Sequence, residues 1–331
     1  MNPDSMKILV TGADGFLGSN VVRELLSRGH QIRALIHPQS QSTTLEGLPI
    51  ETYKGDLLKP ESVIEAAKGM DAIIHTAANT KTWPPRCKSH SAVNIDGTKN
   101  ILEAARKNNV KRMVYVGTAN TFGSGPKENP GKEDNPYNSA HYKLGYMDSK
   151  YQAHQLVLAA IEKGLPAVIV NPTFMFGPHD SGPSSGAMIL AIYKGKTPGY
   201  PPGGKNYIYV KDSAIGVCNA LTMGRIGESY ILGNENLSYK EAFELIARQT
   251  GVKPPRISMP KFVVLAYGAL SSFVGKVFKI EPSVNYPMAR VSCDGHYYSP
   301  AKAVRELQLP QTPVATAIDE AFKWFKENNK I

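Results

Sequence analysis

Short uninterrupted apolar runs alternate, through the first half of the chain, with stretches whose apolar residues recur every three or four positions. Ile8-Leu9-Val10 is a run without polar alternation, as in a parallel strand covered on both faces. After Gly18 the residues Val21, Val22, Leu25 and Leu26 keep helical spacing until Gly29 stops the pattern. The alternation then continues. Gln31 to Ile36 reads as the second strand, Gly47 to Tyr53 as the approach to a third and Ser62 to Lys68 as a short helix. Strands at Ala72 to His75, Arg112 to Val116 and Ala167 to Val170 flank helices at Val93 to Asn108 and Gly145 to Lys163. Strands separated by helices of this length predict a parallel sheet with right-handed crossovers and helices on both faces, the doubly wound α/β fold.

After Pro172 the texture changes to Gly and Pro punctuation, including Gly182-Pro183, Pro198-Gly199 and Pro201-Pro202-Gly203-Gly204, which predicts loops that build a substrate lobe. Tyr207 to Val210 and Ser229 to Leu232 look like returning strands, and Ser238-Tyr239-Lys240-Glu241 is a capping box opening a helix to Gln249. In the last helix Ala315, Ile318, Phe322 and Phe325 share one stripe. Phe262 to Gly275 is apolar and uncharged but shorter than the about 20 residues of a membrane span, so we expect a buried or lid helix, with peripheral membrane docking the lesser alternative.

Composition narrows the classes. At 331 residues, 42% hydrophobic and 20% charged, the chain is an ordinary globular one, with room for a large α/β unit and an appended lobe. Its 38 Lys and Arg against 28 Asp and Glu give +10, but the basic residues are dispersed and accompany no nucleic-acid-binding motif. We read that charge as a solvated basic surface with a positive cleft for a phosphate-bearing cofactor, and expect no nucleic-acid partner. Three separated cysteines, Cys87, Cys218 and Cys293, with no C-x-x-C pair, argue for a reducing compartment and against a disulfide framework or zinc site. Met1 to Ser5 reads as an extension ahead of Met6, no targeting segment is evident, and a cytoplasmic location is expected.

Two stretches carry chemistry. Between the first strand and its helix lies Thr11-Gly12-Ala13-Asp14-Gly15-Phe16-Leu17-Gly18. Glycine is wanted at Gly12 for the sharp turn, at Gly15 so that backbone can approach a pyrophosphate, and at Gly18 so that helix and strand can pack closely. The helix N-terminus offers free N–H groups and a positive dipole end to that pyrophosphate. Tyr146 and Lys150 are spaced i, i+4 on one helical face, where a Lys⁺ beside a phenol would favour the phenolate and bring its pKa below about 10. Thr118, just past the strand ending at Val116, adds a hydroxyl able to hold a substrate oxygen.

With these residues in view, the chain resembles the extended short-chain dehydrogenase/reductases of the epimerase/dehydratase superfamily and, within it, dihydroflavonol-reductase-like proteins. The likeness spans nearly the whole chain and includes Gly55-Asp56-Leu57, Asp71 to Ala78, Val93 to Asn100, Asn171-Pro172-Thr173, Phe176-Gly177-Pro178 and Tyr209 to Asp212. It implies a Rossmann NAD(P)-binding domain, which we place at residues 6–172 and 207–233, and a substrate-binding lobe at 173–206 and 234–331. It implies Thr118, Tyr146 and Lys150 as catalytic residues. Cofactor contacts are implied at Gly12, Gly15, Phe16, Leu17, Gly18, His37, Asp56, Leu57, Thr76, Ala77, Ala78 and Asn94. Tyr146, Lys150, Asn171, Pro172 and Thr173 complete that set near the nicotinamide. Substrate contacts are expected from Thr80, Thr118, Asn120, Tyr146 and Met175, and no metal is expected. A homodimer through the helices beginning near Val93 and Gly145 is a further expectation.

Departures from the family pattern refine the reading. His37-Pro38 stands where an acidic residue would accept the ribose 2′-OH of NAD, with Arg33 further back and Ser40 and Ser42 following, so NADP is preferred to NAD. Asn171 replaces the arginine that sugar-nucleotide epimerases often carry, and Ala119-Asn120 replaces the Asp-Glu pair of sugar-nucleotide dehydratases. The leading expectation is therefore reduction of a ketone or aldehyde, or oxidation of the secondary alcohol. An epimerase that retains NAD(P) and a non-catalytic NADP-binding sensor are the alternatives.

Overall fold

Seven parallel strands form the main sheet of the computed structural model, which describes residues 5–331. In chain order they are β1 (Lys7–Thr11), β2 (Gln31–Ile36), β3 (Glu51–Lys54), β4 (Ala72–His75), β5 (Arg112–Val116), β6 (Ala167–Pro172) and the strand Ser229–Leu232. Their spatial order runs Ser229–Leu232, β6, β5, β4, β1, β2, β3, so the direction of winding reverses between β4 and β1. This is a Rossmann sheet, and its reversal point opens the crevice where such folds bind ligands. The expected extension Met1 to Ser5 lies, apart from Ser5, outside the described residues.

The strands are apolar without alternation because both faces are covered. On one face Ile8, Val10, Ile74, Val114 and Val168 pack against helix α1 (Phe16–Ser27) and the helix Val210–Thr222. On the other, Leu9, Ile73, Met113, Tyr115 and Ile169 meet the helices Pro60–Ala66, Gly97–Lys107 and Gly145–Glu162. Helix α1 forms because Val21, Val22 and Leu25 fall on one stripe, and burying each such side chain contributes about 1.5–3 kcal/mol.

A four-stranded sheet gathers Phe174–Phe176, Gly204–Tyr209, Glu235–Ser238 and Gly295–His296. The strand expected at Tyr207 to Val210 thus belongs to this smaller sheet and not to the main one. The capping box forms as read: the Glu241 amide donates to Ser238 Oγ at 3.2 Å and the Ser238 amide to Glu241 Oε2 at 2.7 Å, opening the helix Tyr239–Thr250. In the last helix, Val314–Glu327, the buried stripe is Val314, Ala317, Ile318, Ala321, Phe322 and Phe325, and Ala315 sits at its edge.

Two expectations are corrected. The helix drawn from Val93 begins earlier, as a wide π-type turn at Ser91–Asp96 that passes into the α-helix Gly97–Lys107. Of the buried or lid helix expected for the apolar segment, the buried option is overturned: Lys261–Phe278 is a surface helix in which only Val264, Gly268 and Gly275 are buried. With 18 residues at mean hydropathy 1.4 it is long and apolar enough to cross a membrane by length and composition. Sequence hydropathy reports transfer preference and carries no record of which neighbour covers a face.

Candidate active site

Strand register brings the separated motifs to one edge. Thr11 pairs with Leu35 and His75, His75 with Tyr115, and Val116 with Val170. The glycine turn, Thr76-Ala77-Ala78, Thr118 and Asn171-Pro172-Thr173 therefore all leave the sheet at its carboxyl side.

Gly12 takes φ +66°, and a Cβ there would stand 2.7 Å from the Ala77 backbone, so turn and β4 exit are pressed together. Thr76 Oγ1 ties them by donating to the Thr11 carbonyl at 2.7 Å. A Cβ on Gly18 would overlap the Gly12 carbonyl oxygen, whereas one on Gly15 meets only that oxygen, at 3.2 Å. No side chain caps α1, and the Phe16, Leu17 and Gly18 amides have no hydrogen-bond partner among the described residues. An uncapped helix N-terminus beside a tight glycine turn fits the pyrophosphate of a dinucleotide. Gly15→Val is expected to weaken cofactor binding more than folding, and Gly18→Ala the reverse, because overpacking at a backbone contact costs about 1–3 kcal/mol or more. Melting curves paired with fluorescence titration of the cofactor check this; a collapsed Tm with normal residual affinity in Gly15→Val would make that glycine structural.

Further along the edge, Asp56 accepts from the Leu58 amide at 2.9 Å, and the Leu57 side chain lies against Gly97. His37 is exposed after β2. Arg33 is engaged elsewhere, on Glu51 and on the Ala66 and Lys68 carbonyls. The loop after β2 instead meets Asp14, whose carboxylate accepts from Ser40 and Ser42, and exposed Lys54, whose Nζ donates to the Ser40 carbonyl at 3.3 Å. Asn94, in the wide turn, accepts from the Asn79 amide at 2.7 Å and donates to Ser149 Oγ at 2.9 Å, fastening the Gly145–Glu162 helix to the β4 exit.

Tyr146 and Lys150 lie one turn apart in that helix, Tyr146 half-buried and Lys150 buried. The Lys150 ammonium donates to Tyr115 Oη at 3.1 Å and to the Val116 carbonyl at 2.8 Å, and burial lowers its pKa to about 7. The sequence suggested that Lys150 would depress the Tyr146 phenol. Here burial raises that phenol above its ordinary value and the nearby Thr118 hydroxyl pulls it back, while Lys150 is turned to β5. A phenol kept protonated at neutral pH is suited to donating a proton. Thr118 is itself buried, its Oγ1 accepting from the Asn120 amide at 3.4 Å.

Not every expected residue faces this cleft in the same way. Asn171 is fully enclosed, its amide reaching the Tyr230 carbonyl at 3.4 Å and its Oδ1 packed against Gly117 without a partner among the described residues. Thr173 donates to Asn206 Oδ1 at 2.8 Å, Met175 is half-buried, and Thr80 is exposed on the loop after β4. Three polar groups were missed. Tyr115 was readable only as the lone hydroxyl in an apolar strand. His75, buried and bonded to Thr11 Oγ1 at 2.7 Å, is held neutral by burial and the nearby Lys150, its pKa down to about 3. Lys205, over the Phe174 ring at 5.0 Å, is lowered by burial to about 8.

The chain is similar to known proteins in sequence and fold. The profile of the NAD dependent epimerase/dehydratase family matches residues 8–233. A putative dihydroflavonol 4-reductase of Synechocystis sp. is 34% identical, covering 97% of this chain and 95% of its own. Sterol demethylase protein B of Methylococcus capsulatus is 30% identical over 98% of this chain and all of its own, 100%. Among solved structures, that of gox2253 superposes with TM-score 0.87 at 35% identity, covering 99% of this chain and 100% of that one. With a family profile over most of its length and relatives matched end to end, this chain belongs to the NAD dependent epimerase/dehydratase family, as an NAD(P)-dependent oxidoreductase of the extended short-chain type.

Proposed function

We propose that the protein reduces a ketone or aldehyde with NAD(P)H, or oxidises the corresponding secondary alcohol. The observation that carries this reading is the half-buried Tyr146 phenol with Thr118 near it and the buried Lys150 one helical turn on, Lys150 bonded to the Val116 carbonyl at the carboxyl edge of the sheet. In this reading Thr118 orients the substrate oxygen, Tyr146 gives it a proton, and Lys150 holds the nicotinamide ribose. The cofactor supplies the hydride, and the chain supplies alignment and the proton. Phe16, Leu17 and Gly18 amides would take the pyrophosphate, Asp56 and Leu57 the adenine, and Thr76 to Ala78, Asn94 and Thr173 would border the cofactor, with the enclosed Asn171 and Pro172 behind them. Thr80, Asn120 and Met175 would border the substrate. We take 6–172 with 207–233 as the cofactor-binding part and 173–206 with 234–331 as the substrate lobe.

Ala119 and Asn120 stand after Thr118, so the acid and base of a sugar dehydratase are absent from those positions. Turnover against a panel of carbonyl compounds separates the remaining readings: a reductase consumes NAD(P)H stoichiometrically, and an epimerase or a cofactor sensor does not.

NADPH is expected to bind more tightly than NADH, with exposed Lys54 as the cation beside the 2′ position and His37, Ser40 and Ser42 around it. Lys54→Ala is expected to erode the preference by several-fold, the scale of one exposed charge contact. Fluorescence titration of both cofactors checks it. Equal or tighter binding of NADH would assign the Asp14 carboxylate to the ribose hydroxyl instead.

A further inference from the structure

We propose that the outward face of the Lys261–Phe278 helix is a docking surface for an anionic lipid bilayer, on which the helix lies in the plane of the interface. Phe262, Ala266, Leu270, Phe273 and Val277 recur at helical spacing along one side, and Phe262, Leu270 and Phe273 are 72%, 63% and 65% exposed. No charge interrupts residues 262–275. Scattered exposed apolar residues are ordinary, whereas a continuous strip that Phe278 and Ile280 extend marks an interaction surface.

Charge identifies the occupant. Exposed Lys253, Arg256, Lys261, Lys276 and Lys279 stand toward the two ends of the strip; Glu281 is the single acidic residue between positions 253 and 281, and Asp294 pairs with Lys261 at 3.5 Å. An apolar strip with aromatic residues and a basic rim is the composition that seats in an anionic headgroup layer. A second copy of the chain is disfavoured, since two-fold pairing of this face would bring both basic rims together.

The opposite side fixes the orientation. Gly268 packs on Ala289, Ser272 Oγ accepts from the Tyr286 amide at 2.7 Å, and Tyr267 Oη lies 3.0 Å from Ser283 Oγ. One side is therefore fastened to protein along the helix, which suits lying on a bilayer and not crossing it. The covered side is tied to the loop 80–90. Gly275 backs onto Trp83, Asn285 Nδ2 donates to the Thr82 carbonyl at 2.9 Å, and Met288 and Val291 pack with Tyr142, Leu144, Met147 and Tyr146.

Co-sedimentation of the full chain with vesicles of phosphatidylcholine, alone or mixed with phosphatidylglycerol, tests the proposal without any substrate. Binding at least about tenfold tighter to the anionic vesicles is expected, with a loss of tenfold or more in Phe262→Glu/Phe273→Glu and a weaker salt dependence in Lys276→Glu/Lys279→Glu. Both phenylalanines are exposed, so the melting temperature and cofactor affinity of the first variant should match wild type. Absence of binding to either vesicle, or unchanged binding of the phenylalanine variant, would overturn the proposal. So would a dimer in light scattering that Phe273→Glu dissociates.

Discussion

Tyr146→Phe is expected to abolish turnover of an identified carbonyl substrate while leaving cofactor binding nearly intact. The change removes one hydroxyl and keeps the ring, which packs with Met288 on the Tyr142, Leu144, Met147 and Val291 cluster. General acid catalysis contributes a factor of about 10² to 10⁴, and because the proton is transferred only in the transition state the loss falls on kcat. Burial keeps the wild-type phenol protonated beyond its ordinary range, so reduction should persist through neutral pH and decline as the phenol ionises. Single-turnover rates and a fluorescence titration of NADPH separate chemistry from binding. Wild-type turnover in Tyr146→Phe would remove this mechanism and leave the cofactor sensor as the leading reading.

Lys150→Met is expected to destroy activity and to leave the ligand-free protein as stable as wild type or more so at pH 7. The ordinary lysine pKa of 10.5 falls to about 7 in the fold because burial penalises the ammonium. Between those values the unfolded chain carries a proton on Lys150 that the folded chain has lost, so wild-type stability rises as pH increases from about 7 to 10.5 and the full penalty applies below about 7. The penalty is on the order of 5 kcal/mol, and losing the bonds to Tyr115 Oη and the Val116 carbonyl returns about 1–3 kcal/mol of it. A net gain on the order of 2 kcal/mol, and a flatter stability profile above pH 7, should follow in denaturant melts. Such a trade between stability and function is usual for a buried ionisable group kept for its chemistry. A variant less stable than wild type at pH 7, with the same slope above it, would show that the ammonium is comfortably solvated in its site.

How much of this was legible in the chain follows from the range over which each interaction acts. The strand Ile8-Leu9-Val10, the glycine turn and α1 were readable because φ at Gly12, the Gly18 contact with Gly12 and the stripe of Val21, Val22 and Leu25 are all settled within a few residues. The Ser238–Glu241 capping box is local in the same sense, and so is the single turn separating Tyr146 from Lys150.

Tertiary structure decided what those residues touch. Lys150 is held by Tyr115, 35 positions earlier, Asn94 by Ser149 across 55, and Thr173 by Asn206 across 33. Packing of helices and loops onto the sheet, which no local pattern encodes, created each of these meetings and turned Lys150 toward Tyr115 and the Val116 carbonyl. The same limit explains the Lys261–Phe278 helix: its sequence specified an apolar surface, and only the packing of Gly268 on Ala289 chose which side would be covered and which left outward. Hydrophobic periodicity fixes the faces of an element because it is a property of consecutive residues; the partner of each face is a property of the whole chain's closure.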